Sequence, residues 1–202
     1  MEDENTPEHI AIILDGNRRF AKRLMLEPWK GHEYGRKKVD ELLSYAKDFG
    51  IKEMTFYALS VENIKSRPEK ELSFLYNIFR DMFKGMDMDN VEKNEIRLKF
   101  IVNFCVAYGG RQELVEAVKN ILKNKVNAED VNEDLIQDNL YLKSEPDMII
   151  RTGGEKRSSN FLPWQSGYSE WFFLEKMWPE FEKEDLAECI EGFKNRKRNF
   201  GK

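Results

Sequence analysis

Cysteine is scarce in this chain of 202 residues: there are two, Cys105 and Cys189, far apart and outside any metal-ligating or redox spacing. A disulfide framework is therefore not expected, and both side chains read as reduced structural thiols of a cytoplasmic protein. Histidine is equally sparse, with His9 and His32 alone. No apolar run approaches the roughly 20 residues that a membrane-spanning helix needs. The opening Met1-Glu2-Asp3-Glu4-Asn5 is acidic and polar, so no secretory leader is expected. Excess positive charge is missing too. The 33 basic and 37 acidic residues leave a formal net charge of -4, which argues against a nucleic-acid binder but permits a local basic pocket. Neither a Walker loop nor a dinucleotide fingerprint occurs.

What is present is globular. Hydrophobic residues make up 41% and charged residues 35%, and the length suits one domain with a sizeable core. Short β-branched runs predict buried strands over 9–15, 53–59, 96–108, 146–151 and 170–174. Helical spacing predicts helices over 33–49, 69–86, 112–123, about 133–140 and 183–195. The segment from Ser60 to Pro68 reads as a loop. Strands alternating with helices predict an α/β fold, a mostly parallel sheet flanked by helices. Ligands of such sheets bind beyond the carboxyl ends of the strands, where Asp15, Ser60, Gly109 and Arg151 all fall.

Three polar segments and one apolar region carry candidate chemistry. In Asp15-Gly16-Asn17-Arg18-Arg19, Gly16 allows a tight turn, a helix starting near Arg18 would favour an anion, and the arginines add charge. A carboxylate beside a phosphate site suggests Mg²⁺ between them. Taken alone, the segment reads first as an ordinary turn with surface arginines. Arg151-Thr152-Gly153-Gly154-Glu155-Lys156-Arg157-Ser158-Ser159-Asn160 combines arginine forks, hydroxyls and loop amides: a second anion-type loop or, taken alone, a solvated one. Two such loops after two strands of one sheet suggest two phosphorylated substrates. Ser60, Glu62, Asn63 and Arg67 are placed to orient a substrate or relay a proton, or simply to cap the next helix. The long helices at 33–49 and 69–86 are rich in Phe, Leu and Met. That richness means core, or the walls of a tunnel for a long apolar chain. His32, after Gly31, reads equally as a structural histidine or as one that donates to a phosphate oxygen.

Together these residues resemble the cis-prenyltransferases, the undecaprenyl and dehydrodolichyl diphosphate synthases. The matching segments, in order, are 9–22, Gly31-His32 with Gly35, 57–63, Tyr108-Gly109-Gly110-Arg111, and 146–161 continuing through Trp164, Gln165, Tyr168 and Glu170. The Asp-Asp-x-x-Asp pairs of the all-helical trans-prenyltransferases do not occur. The resemblance implies a single domain that condenses isopentenyl diphosphate with an allylic prenyl diphosphate in the presence of Mg²⁺. It implies Asp15 and Glu170 as metal ligands, and Gly16, Asn17, Arg18, Arg19 and His32 around the allylic diphosphate. Ser60, Glu62, Asn63 and Arg67 fall where the family positions isopentenyl diphosphate and assists proton removal. Arg151, Arg157 and Ser159 resemble that substrate's diphosphate clamp. Asp15, a Ser60–Asn63 relay and the departing diphosphate are all candidate proton acceptors. A homodimer is implied, with Arg196, Arg198 and Gly201 resembling a tail that completes a neighbouring site. Product release implies peripheral membrane contact at most.

The chain departs from the family pattern in four places. Pro28 stands where an arginine is usual, with Lys30 nearby. Ile64 replaces an aromatic, and Ser66 looks inserted before Arg67. Ala107 replaces an asparagine. Largest of all, Ile101 runs directly into Val102-Asn103-Phe104, so a strand–helix unit of roughly thirty residues is missing there. Two other readings stand beside the main one: a family member making an irregular, non-head-to-tail linkage, and a non-catalytic subunit that binds a partner. Phe79, Phe83 and Phe100 are candidate floor residues of the tunnel.

Overall fold

The structure, a computed structural model, describes residues 5–84 and 100–196. Strand β1 (His9–Ile13) is buried along its whole length, as its unbroken apolar run requires of a strand covered on both faces. Helix α1 (Asn17–Arg23) follows, then a single 3₁₀ turn (Pro28–Lys30) that leads into α2 (Gly31–Asp48). Next come β2 (Glu53–Ser60), α3 (Val61–Ser66) and α4 (Glu69–Lys84). The second half holds β3 (Ile101–Tyr108), α5 (Gly110–Lys123), α6 (Glu133–Asp138), β4 (Met148–Arg151), β5 (Glu170–Phe173) and α7 (Lys183–Lys194).

The five strands form one sheet in the order β3-β2-β1-β4-β5, and every pairing is parallel. The chain therefore winds outward from β1 in both directions, and the crevice of this fold opens at the carboxyl end of β1. Alternate residues of β1 serve two cores. Ile10 and Ile12 pack with Leu42 and Ala46 of α2, Trp178, and Leu186 and Phe193 of α7. Ala11 and Ile13 pack on the other face with Tyr57, Ile149, Phe161 and Leu162.

The predicted elements are present, with two differences among the described residues. The first strand stops at Ile13 rather than at Asp15, because Asp15 already turns into α1. The segment predicted as a loop after Ser60 holds helix α3, which Ser60 caps by accepting from the Asn63 amide at 3.0 Å. Met86, residues 96–99, Arg198 and Gly201 lie outside the described residues, as does the side chain of Phe83.

Candidate active site

The carboxyl ends of β1, β2 and β4 bring the two cationic loops together. Asp15 sits at the centre. Its Oδ1 accepts from Arg19 Nη2 at 3.0 Å and its Oδ2 from Arg151 Nη2 at 2.9 Å. Arg151 is 3% exposed, and its Nη1 also donates to Ser159 Oγ at 2.8 Å and to the Arg157 carbonyl. Thr152 Oγ1 donates to the Asp15 carbonyl at 2.8 Å, which ties the β4 loop to the end of β1. Gly16 makes the turn with φ +106°, and a Cβ there would meet Met177 Cα at 2.9 Å.

Two glycines bring α2 against α1. A Cβ on Gly31 would lie 1.9 Å from the Asn17 carbonyl oxygen, and one on Gly35 would lie 2.2 Å from Asn17 Oδ1. This approach sets His32, in the first turn of α2, beside the crevice. Asn17 is held by its Nδ2 donating to the Leu14 carbonyl at 3.0 Å.

Side chains from α3 and α4 complete the opposite wall. Asn63 Nδ2 donates to Ser60 Oγ at 2.6 Å, and Arg67 Nε donates to Asn63 Oδ1 at 2.7 Å. Arg67 Nη1 continues to Glu71 Oε1 at 3.0 Å. His32 Nε2 lies 3.3 Å from the same oxygen, and Arg18 Nε lies 3.7 Å from Glu71 Oε2. Burial pushes His32 below its ordinary value and also lowers Arg67, while the hydrogen bond from His32 holds the Glu71 carboxyl down. Glu62 reaches the second loop, accepting from Asn160 Nδ2 at 3.2 Å, and its pKa is lowered first by its own backbone amide.

Two polar cavities result. One, of about 370 Å³, is lined by Asp15, Arg18, Arg19, Lys22, His32 and Arg67 among others. The second, of about 280 Å³, is lined by Asp15, Ser60, Arg67, Arg151, Arg157 and Ser159 among others. Asp15, Asn63 and Arg67 border both. Leu14 and Ala58 border both as well, and they also line a small apolar cavity of about 50 Å³ between α2, α4 and the sheet, where Phe79, Met82 and Phe104 lie. Phe100 is not among its lining residues; it packs on the main core with Lys47 Nζ 5.5 Å from its ring centre.

The crevice thus collects Asp15, Gly16, Asn17, Arg18, Arg19, His32, Ser60, Asn63, Arg67, Arg151, Arg157 and Ser159. It does not collect Glu170. Glu170 opens β5 in register with Met148, at the amino end of the parallel strands, so it lies roughly 15 Å from Asp15 along the strand direction. Its carboxylate is instead bound by Arg196 Nη1 at 2.5 Å. Within one chain, Asp15 and Glu170 therefore do not share a metal site. Glu71 was not singled out from the sequence, where it reads as one of two acids in the first turn of a helix. Its spacing of four from Arg67 was the available signal.

A likeness to known proteins accompanies this geometry. The sequence model of the family described as undecaprenyl diphosphate synthase matches residues 13–103 and 99–201. The chain belongs to that family, the cis-prenyltransferases. A tritrans,polycis-undecaprenyl-diphosphate synthase (geranylgeranyl-diphosphate specific) of Methanopyrus kandleri is 36% identical over 237 aligned residues, covering all of this chain and 87% of that one. Lavandulyl diphosphate synthase from Lavandula x intermedia, solved with dimethylallyl diphosphate, superposes with a TM-score of 0.87 at 30% identity, covering 99% of this chain and all of that one. A probable undecaprenyl diphosphate synthase from Campylobacter jejuni gives 0.76 at 27% identity over the full length of both. In this cis-prenyltransferase the two polar cavities meet at Asp15, Asn63 and Arg67.

Proposed function

We propose that this cis-prenyltransferase condenses isopentenyl diphosphate with an allylic prenyl diphosphate, releasing pyrophosphate and a cis-polyprenyl diphosphate. The observation that carries this reading is the meeting of two cationic cavities at Asp15, with an apolar cavity opening from their shared Leu14–Ala58 floor. One cavity takes the allylic diphosphate on Arg18, Arg19, Lys22 and His32. The other takes isopentenyl diphosphate on Arg151, Arg157 and Ser159, with Arg67 and Asn63 between the two. Arg151 Nε is buried without a partner among the described residues, a donor still to be satisfied.

Mg²⁺ fits the donor set only together with substrate. No group of three or more His, Cys, Asp or Glu side chains gathers among the described residues, so no all-protein cage exists there. Asp15, 29% exposed at the join, is the one carboxylate among the described residues lining the two cavities and is placed to share an ion with diphosphate oxygens. When bound, the ion neutralises charge developing on the departing diphosphate. The chain's own guanidinium groups act on the same charge, fixed in place before the reaction begins. The alkene of isopentenyl diphosphate attacks the allylic carbon, the carbon–oxygen bond to the diphosphate breaks, and a proton leaves the new junction. Ser60 Oγ already accepts from Asn63 N at 3.0 Å and from Asn63 Nδ2 at 2.6 Å, so its hydroxyl acts as a donor that orients substrate. Asp15 and the departing diphosphate are then the proton acceptors.

The reading extends to the whole chain. A family strand–helix unit is absent at the start of β3; the family match re-enters at residues 99–103, and the archaeal alignment runs over 237 positions against 202 residues here. The enzyme works as a homodimer, supported by an exposed apolar stripe on α5 formed by Val115, Val118 and Leu122. Contact with a membrane is peripheral; among the described residues no helix is long and apolar enough to cross one.

Asp15→Ala tests the reading. The variant is expected to keep its circular dichroism and to lose Mg²⁺-dependent incorporation of radiolabelled isopentenyl diphosphate by at least about a thousandfold. Wild-type turnover in the variant would remove the assignment.

A further inference from the structure

Glu71 is 1% exposed, yet it is a carboxylate facing two guanidinium groups, Arg18 and Arg67, and the imidazole of His32. Arg67 Nη1 donates to Oε1 at 3.0 Å, His32 Nε2 lies 3.3 Å from Oε1, and Arg18 Nε lies 3.7 Å from Oε2. Arg67 Nη1 and His32 Nε2 are themselves only 3.2 Å apart. Two guanidinium groups gathered on one carboxylate repel each other, and the buried counter-charge is what lets them stand together. The cluster is also the start of a chain. From Arg67, Nε donates to Asn63 Oδ1 at 2.7 Å, and Asn63 Nδ2 donates to Ser60 Oγ at 2.6 Å. Arg67 and Asn63 line both polar cavities, whereas Glu71 lines neither.

We propose that Glu71 is a positioning residue of the reaction: it fixes Arg67, and through it Asn63 and Ser60, against the isopentenyl diphosphate. This rests on the prenyl-transfer reading of the site. Glu71 touches no substrate. It acts by holding a guanidinium in the one orientation that serves both cavities, with Arg18 and His32 balanced on its remaining faces. Burial and the neighbouring Arg18 disfavour the charged form of Arg67, and Glu71 opposes them most strongly. An uncharged amide at position 71 would leave Arg67 without its ionic anchor and the two guanidinium groups without their counter-charge.

Steady-state kinetics on Glu71→Gln, Arg67→Ala and the double variant, with farnesyl diphosphate and isopentenyl diphosphate as substrates, test this. Glu71→Gln is expected to lower kcat and to raise the KM for isopentenyl diphosphate about tenfold and that for farnesyl diphosphate by a smaller factor, since Arg18, His32 and Arg67 border the allylic cavity too. Because Glu71 works through Arg67, the double variant is expected to be no worse than Arg67→Ala alone. Glu71→Asp, which keeps the charge, is expected to recover part of the lost activity, and it carries the same cycle if Glu71→Gln does not fold. Additive losses, or a fall in kcat with both KM values unchanged, would show a purely structural carboxylate and overturn the proposal. Absence of isopentenyl incorporation by the wild-type enzyme would instead overturn the functional reading itself.

Discussion

His9 and His32 are both buried, and burial pushes both below the ordinary value of 6.5. His9 is held at the amino end of the sheet by Thr55 Oγ1 at 2.8 Å, while His32 faces Glu71 and Arg67 in the crevice. The folded chain thus resists protons that the unfolded chain accepts. In such a case stability is complete above 6.5 and is lost as the pH falls through the lowered folded values. The melting temperature is expected to fall between pH 7 and pH 5, and scanning calorimetry on a His9→Gln/His32→Gln variant should give a flatter profile. An unchanged slope in that variant would assign the effect to other groups. The two cysteines behave as the sequence implies. Cys105 and Cys189 are buried, and burial pushes both thiols up to about 12, which keeps them unreactive.

At the scale of elements, the site depends on how closely α2 can approach α1 and on what α4 turns toward the sheet. Gly31 and Gly35 serve the first need, since any Cβ at either would overlap Asn17. For the second, α4 presents Leu75, Ile78, Phe79 and Met82 to the apolar cavity. Its volume of about 50 Å³ is small beside even one five-carbon unit, so the bulk of these side chains limits the space for a growing chain. Burial of one such unit is worth roughly 3–4 kcal/mol, enough to draw product into any space that opens. Phe79→Ala is expected to lengthen the products by one or more five-carbon units, read by mass spectrometry of the extracted diphosphates. An unchanged length distribution would place the limiting contact elsewhere.

The whole molecule is acidic overall, yet its crevice is cationic. Arg18, Arg19, Lys22, Arg67, Arg151 and Arg157 converge on it while the net charge remains -4. Folding concentrates positive charge where three strand ends meet and distributes negative charge over the rest of the surface. The α5 stripe is the other feature of this scale. Val115, Val118 and Leu122 are 52%, 51% and 69% exposed on one side of a helix, an arrangement that suits a partner copy. Sedimentation equilibrium is expected to give twice the chain mass for the wild type and a smaller species for Leu122→Glu. A monomeric wild type would count against the homodimer.

The sequence by itself determined the strand–helix alternation, the parallel sheet and the two cationic loops. Local patterns suffice for these: an apolar run such as Ile10–Leu14 has to be buried, and Asp15-Gly16 has to turn. It did not determine which carboxylates matter. Glu71 and Glu170 look alike in the chain, each an acid at the start of an element. Parallel pairing puts the start of β5 at the end of the sheet away from the crevice, where Arg196 takes up Glu170. The start of α4 falls at the crevice instead, where Arg18, His32 and Arg67 surround Glu71. Strand polarity and the meeting of α1, α2 and α4 are long-range facts, and no window of sequence contains them. Only the tertiary structure decided that Glu71 belongs with the site and that, within one chain, Glu170 does not.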